Sequence, residues 1–134
     1  RLELRGVCPL MARPPNQRVA ARRARELLSR RMPGLDPTTV REHVIRAERV
    51  AAVIWRRWQI GPWQWQVKHL RWYLECRTDA MRPGTRYRYW LTIRALVYAL
   101  GRGEDWVARL KGPWVRPTGE GGEMKDGRPA SLPG

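Results

Sequence analysis

Apolar residues recur along this chain at helical spacings, and five segments carry the pattern. Within residues 16–31, Ala20, Ala24, Leu27 and Leu28 fall on one side and Arg18, Arg22 and Arg25 on another. This predicts a basic, weakly amphipathic helix with Asn16 as N-cap, ended by Pro33 and Gly34. Asp36-Pro37 is a start signal: a capping carboxylate, then a ring that presets the first helical φ. Val40, Val44, Ala47, Ala51, Ile54 and Trp58 follow every three or four residues until Gly61-Pro62. That stripe predicts the longest helix, with Arg41, Arg46, Arg49 and Arg56 lying off it. A third helix is expected over residues 63–76, with Val67, Leu70, Tyr73 and Leu74 as its apolar set. A fourth runs over residues 85–100, with Trp90, Ile93, Val97 and Leu100 on one face and Gly101 and Gly103 closing it. A short fifth spans residues 104–110.

Strand signals are poor and no repeat is present. The expected fold is therefore all-α, a compact bundle of four to five helices. Residues 1–15, with Pro9, Pro14 and Pro15, read as an extended arm. Residues 16–110 form the helical domain. Residues 111–134, rich in Gly and Pro, read as a flexible tail or linker. No window is apolar enough for a membrane span. Cys8 and Cys76 are isolated, the histidines are His43 and His69 only, and no CxxC or HxxxH spacing occurs. No metal site and no cofactor are expected. Two unpaired thiols suit a reducing, cytoplasmic setting.

Charge changes the picture. Lys plus Arg is 27 against 12 for Asp plus Glu, a net charge of +15, and lysine appears only at positions 68, 111 and 125. Such an excess attracts polyanions, and arginine can grip a phosphate or a guanine edge with two bonds. Nine arginines face two acids in residues 1–35, and fourteen cations face seven acids in residues 36–110. Residues 111–134 are nearly balanced, so a binding surface belongs to the arm and the helices.

The densest cluster is the Met81-Arg-Pro-Gly-Thr-Arg-Tyr-Arg-Tyr89 stretch. Arginine at a helix start opposes the helix dipole, which suggests an external anion there. Arg82, Thr85, Arg86, Arg88 and Tyr89 are the candidates, and Thr85, Arg88, Tyr89 and Thr92 are expected on one face, opposite the core. A solvated charged face is the alternative. The start of the long helix, with Thr38, Thr39, Arg41 and Glu42, is a second surface, although its hydroxyls can also serve as caps. Gln64, Gln66, Lys68, His69 and Arg71 form a third, which is either phosphate-facing or plainly polar. The chain has eight Trp, four Tyr and no Phe. Most of these rings are expected in the core, with Trp63, Trp65 and Trp114 freer to stack on bases.

The order of parts resembles the N-terminal core-binding, or SAM-like, domain of phage-integrase-type tyrosine recombinases. There a long helix starting near a Thr is followed by a short helix ending in an aromatic-Leu pair, here Trp72-Tyr73-Leu74. A small loop then leads to a Thr-initiated helix with an apolar end, here Thr85 through Ile93-Arg94-Ala95-Leu96 to Gly101. The similarity spans roughly residues 16–110. It implies double-stranded DNA as the partner, other protomers on that DNA, and a bacterial or mobile-element origin. Carried over by position, it implicates Thr39 and Arg41 on one helix and Arg82, Thr85, Arg86, Arg88 and Tyr89 on the other, each entering a major groove. The family's chemistry lies in a separate C-terminal domain, with a tyrosine nucleophile among Arg, Lys and His residues. None of Tyr73, Tyr87, Tyr89 or Tyr98 has that setting. The resemblance therefore implies DNA recombination and integration through a binding module that is not itself an enzyme, and residues 127–133 look like a linker.

A structural RNA-binding protein of ribosomal type is the competing expectation. A membrane-surface binder fits less well, because the apolar faces are needed for the core. If the fourth helix starts the interface, Arg86→Ala with Arg88→Ala should weaken duplex binding and leave the fold intact.

Overall fold

The computed structural model describes residues 12–31 and 36–115. Cys8, the Pro33-Gly34 stop and the tail beyond Val115 lie outside the described residues. The fold is all-α: α1 is Gln17–Arg31, α2 Pro37–Trp58, α3 Val67–Trp72, α4 Pro83–Ala99 and α5 Gly103–Arg109. A 3-10 turn at Pro62–Gln64, a π turn at Tyr73–Arg77 and a second 3-10 turn at Pro113–Val115 complete it. Among the described residues no strand occurs, and no helix is long and apolar enough to cross a membrane.

The two start signals act as the sequence indicates. The Asn16 side chain accepts the Val19 N–H at 2.9 Å. Asp36 accepts the Thr39 N–H at 3.1 Å with Pro37 at the first helical position. Each bond satisfies one backbone donor that the first helical turn leaves open. Between α1 and α2 lies the most extensive helix contact. Ala20, Ala24 and Leu28 of α1 and Ala47, Val50, Ala51 and Ile54 of α2 are all fully buried. Alanines on both sides bring the axes close, and burying Leu28 or Ile54 contributes about 1.5–3 kcal/mol each. Arg56 donates to Gln17 at 3.2 Å and Arg25 lies 3.7 Å from Glu48, so the two helices run antiparallel.

α2 stops before the expected Gly61-Pro62. Gln59 takes the left-handed conformation (φ 56°) and donates its backbone N–H to Trp55. A side chain there is disfavoured by about 1–2 kcal/mol. The Gln59 amide offsets this by donating to the carbonyls of Trp55 and Arg56 at 3.2 and 3.0 Å. Gly61 has another task. A Cβ on it would lie 2.5 Å from Pro14 Cγ, and the Pro14 carbonyl accepts the Trp55 indole N–H at 3.0 Å. The end of the expected arm is thus held against α2, with Pro14 buried.

The single helix expected over residues 63–76 is divided. Gln66 is extended (φ −125°, ψ 168°), which turns Trp65 inward before α3 begins. His69 Nδ1 accepts the Gln66 N–H at 2.9 Å, the place a capping carboxylate usually takes. After Trp72 the ladder widens to a π turn, and the Leu74 carbonyl accepts from Thr78 Oγ1 at 2.6 Å and Arg86 Nη2 at 2.9 Å.

α4 is the central helix. Tyr89, Trp90, Thr92, Ile93, Leu96, Val97 and Ala99 are all buried, so it meets neighbours on more than one face. The core also continues past α5. Trp114 is buried, and its indole donates to Leu110 at 2.7 Å. The beginning of the expected linker is therefore part of the packed domain.

Candidate nucleic-acid interface

The main polar junction between helices lies where α2 meets α4. Thr92 Oγ1 accepts from Arg46 Nε at 2.8 Å and lies 2.7 Å from His43 Nδ1. Arg46 Nη2 lies 3.3 Å from the same His43 nitrogen. A guanidinium can only donate, so Nδ1 acts as an acceptor and the ring proton sits on Nε2. The Thr92 hydroxyl then donates to His43 and accepts from Arg46. Burial, followed by the Arg46 charge, lowers the His43 pKa and keeps the ring neutral. Burial also lowers the Arg46 pKa, yet the guanidinium stays charged at neutral pH. One turn further along α2, Arg49 Nη1 donates to the Tyr89 hydroxyl at 3.1 Å. Tyr73 stacks against Tyr89 with ring centroids 5.9 Å apart, and burial pushes its own pKa up.

Above this junction opens a cleft of about 390 Å³ lined by Glu42, Ile45, Arg46, Arg49, Arg88 and Tyr89. Three of the six are cations and one is an acid. None of the three arginines forms an ion pair with an acid among the described residues. Arg46 and Arg49 lie three residues apart, on one face of α2. Arg88 reaches the cleft from α4. On the other side of His43 a second cleft of about 480 Å³ is lined by His43, Leu91, Arg94, Ala95, Tyr98 and Val107. Arg88 of the first lining and Tyr98 of the second are about 15 Å apart along the α4 axis.

The structure sorts the residues proposed from sequence. Arg88 and Arg82 are exposed and Thr85 is half-buried, near the start of α4. Arg86 does not face outward. Its Nε donates to Thr78 Oγ1 at 2.9 Å, its Nη2 to the Leu74 carbonyl at 2.9 Å, and its guanidinium lies 5.2 Å from the Trp114 ring centre. It closes the carbonyl end of the π turn. The expectation that Arg86→Ala would leave the fold intact is corrected on that ground. Tyr89 and Thr92 were expected on an open donor face, yet both are buried because α2 covers that side of α4. Tyr89 still forms the floor of the cleft.

Thr39 and Arg41 are exposed at the start of α2, outside the cleft lining. The pairings of His43 with Thr92 and of Arg49 with Tyr89 make α2 and α4 antiparallel. Going along α2 away from Thr39 and Arg41 therefore leads back toward the start of α4. Lys68 is exposed on α3, away from the cleft lining. Arg71 is committed elsewhere: it bonds Glu75 at 2.8 Å and donates to the carbonyls of Arg109 and Lys111 at 3.2 and 3.1 Å. Of the tryptophans expected to be freer, Trp65 and Trp114 are buried and Trp63 is half-buried.

Sequence reasoning did not assign His43, Arg46 or Arg49 to the site. The signal was present, since Arg46 and Arg49 fall off the apolar stripe of α2. What the spacing lacks is the identity of the helix facing them. Among the described residues no group of His, Cys, Asp and Glu could hold a metal ion. Comparison with models of known families, with curated proteins and with solved structures returns no match to this chain.

Proposed function

We propose that the chain binds double-stranded DNA through the α2–α4 cleft. The observation that carries this reading is the convergence of Arg46, Arg49 and Arg88 on one cleft whose lining holds a single acid, Glu42. Arg46 and Arg49 are held by Thr92 and Tyr89, so part of their conformational entropy is lost before any ligand arrives. Each guanidinium carries five N–H donors, and these contacts leave others for phosphate oxygens. Arg94 in the neighbouring cleft adds a fourth cation, and duplex DNA carries one charge per roughly 1.7 Å of axis for such cations to meet.

The likeness to recombinase core-binding domains adds a specific form of this reading, in which α2 and α4 lie in adjacent major grooves. The five-helix order is compatible with it. In this reading the chain is a binding module, and any recombination chemistry would reside outside it.

The test is a competition at physiological salt among a labelled DNA duplex, the same sequence as a single strand, and a structured RNA hairpin. The duplex is expected to compete best, and Arg46→Gln with Arg88→Gln to weaken duplex binding by at least tenfold. Stronger competition by the hairpin would replace DNA with structured RNA as the partner. An unaltered duplex affinity in the double variant would remove the cleft from the interface.

A further inference from the structure

His43 stands between the two clefts. Its Nδ1 is used inward, 2.7 Å from Thr92 Oγ1 and 3.3 Å from Arg46 Nη2. Arg46 lines the first cleft and His43 the second. Neither of these bonds uses the ring proton on Nε2. Trp65 Nε1 is the only side-chain nitrogen or oxygen among the described residues that is both buried and unpartnered. The half-buried His43 therefore keeps its Nε2–H open to solvent, and the open space that His43 borders is the second cleft. Arg94 in the same lining is exposed and pairs with no acid among the described residues. Tyr98, 53% exposed, adds a hydroxyl, and Leu91, Ala95 and Val107 form the apolar wall.

An imidazole N–H, an unpaired guanidinium and a phenol around one opening, with no carboxylate in its lining, suit an oxyanion. We propose that the second cleft holds one phosphate group of a bound nucleic-acid strand, and that His43 takes up a proton as this phosphate settles. This rests on the reading of the chain as a nucleic-acid binder and adds a contact and a pH response to it. The His43 Nε2–H and Arg94 donate to the phosphate oxygens. Without the phosphate, burial and the Arg46 charge keep the ring neutral, and Glu42 opposes them more weakly. Arg94 and Tyr98 face His43 from α4, and Val107 from α5, three residues after the exposed Glu104. α1 meets α2 through the uncharged Ala20, Ala24 and Leu28. A phosphate beside the imidazole favours its charged form, so Nδ1 takes a proton from water. Thr92 Oγ1 then accepts from Nδ1, and its own hydrogen turns to the backbone carbonyl one turn back, a bond that threonine makes in helices. Arg46 Nη2 loses Nδ1 as an acceptor and turns to the first cleft, where the same strand offers another phosphate.

The experiment follows the ring signals of the two histidines by NMR in the full chain, titrated between pH 7.5 and pH 5.5. Three samples are compared: the free protein, the protein with a short DNA duplex, and the protein with inorganic phosphate. His43→Gln assigns the His43 signal. His69 lies on α3, outside both cleft linings, and serves as the internal reference. The His43 midpoint is expected to rise by about one pH unit with duplex and with phosphate, while that of His69 stays close to its free value. A rise of that size makes duplex binding about tenfold tighter at the acid end of the range. Arg94→Gln, at an exposed position, should shrink the rise, and His43→Gln should flatten the pH dependence of duplex affinity while the spectrum keeps its dispersion. A His43 midpoint that neither probe moves overturns the proposal, and so does an equal rise at His69, which would mark the general field of the ligand. A rise with phosphate but none with a bound duplex overturns the strand as the source of the phosphate. A rise with phosphate in a chain that binds no duplex supports the oxyanion site and counts against the duplex reading alone.

Discussion

Three residues show how far individual side chains decide this fold. Arg86 sits in the most cationic stretch of the chain, and charge alone points it outward. Its position one turn into α4 instead brings it to the Leu74 carbonyl and Thr78. Arg86→Ala should cost about 1.5–3 kcal/mol, the range for hydrogen bonds to a charged group, measured by urea denaturation. Arg88→Ala, at an exposed position, should stay within about 0.5 kcal/mol of the parent. Gly61 is fixed by the close approach of Pro14, and Gly61→Ala should destabilise by about 1–3 kcal/mol through overpacking. An unchanged midpoint would mean that Pro14 does not dock there. His43 gives a pH dependence whose sign is determined. Its folded pKa lies below the unfolded value of 6.5, so the unfolded chain binds more protons as pH falls. Its contribution is complete above about pH 6.5 and is lost as pH drops toward the folded pKa. His69, lowered by burial and by Lys68, acts in the same direction. His43→Gln should therefore flatten, without abolishing, the fall in denaturation midpoint between pH 7 and pH 5.

At the scale of elements, the capped helices were legible and the irregular one was not. Asn16 and Asp36 act locally, through bonds three residues away, and local chemistry is what a sequence displays. The break at Gln66 depends on Trp65 turning into a core built by other segments, so spacing within residues 63–76 could not reveal it. The face of α4 was misread for a related reason. Thr92 and Tyr89 look like solvent-facing donors until α2 supplies their partners, His43, Arg46 and Arg49. Buried polar residues that pair across helices look like surface residues in a one-dimensional pattern. The candidate site changed accordingly. Arg88 and Tyr89 remain at it, Arg86 and Arg71 become structural, and Arg46 and Arg49 enter it. Because Thr92 orients Arg46, Thr92→Val should lower duplex affinity severalfold without removing any charge, a result readable by fluorescence anisotropy. A purely diffuse electrostatic attraction would leave the affinity of that variant unchanged.

At the scale of the whole molecule, a net charge of +15 guarantees some attraction to any polyanion. Affinity alone therefore cannot distinguish a built interface from a generally basic surface. Arginines on the exposed side of α1, such as Arg18, Arg22 and Arg30, would contribute to both. What separates the cases is the number of phosphates neutralised at the cleft. That number appears in the salt dependence of binding, about 0.9 in log–log slope per contact on duplex DNA. The decisive measurement is duplex affinity from low to physiological salt, for the parent chain and for a variant carrying Arg46→Gln, Arg49→Gln and Arg88→Gln. A shallower slope in the variant, by about 2.7 for three lost contacts, is the expected result. Parallel lines for the two proteins would contradict the cleft as the place where the duplex is held.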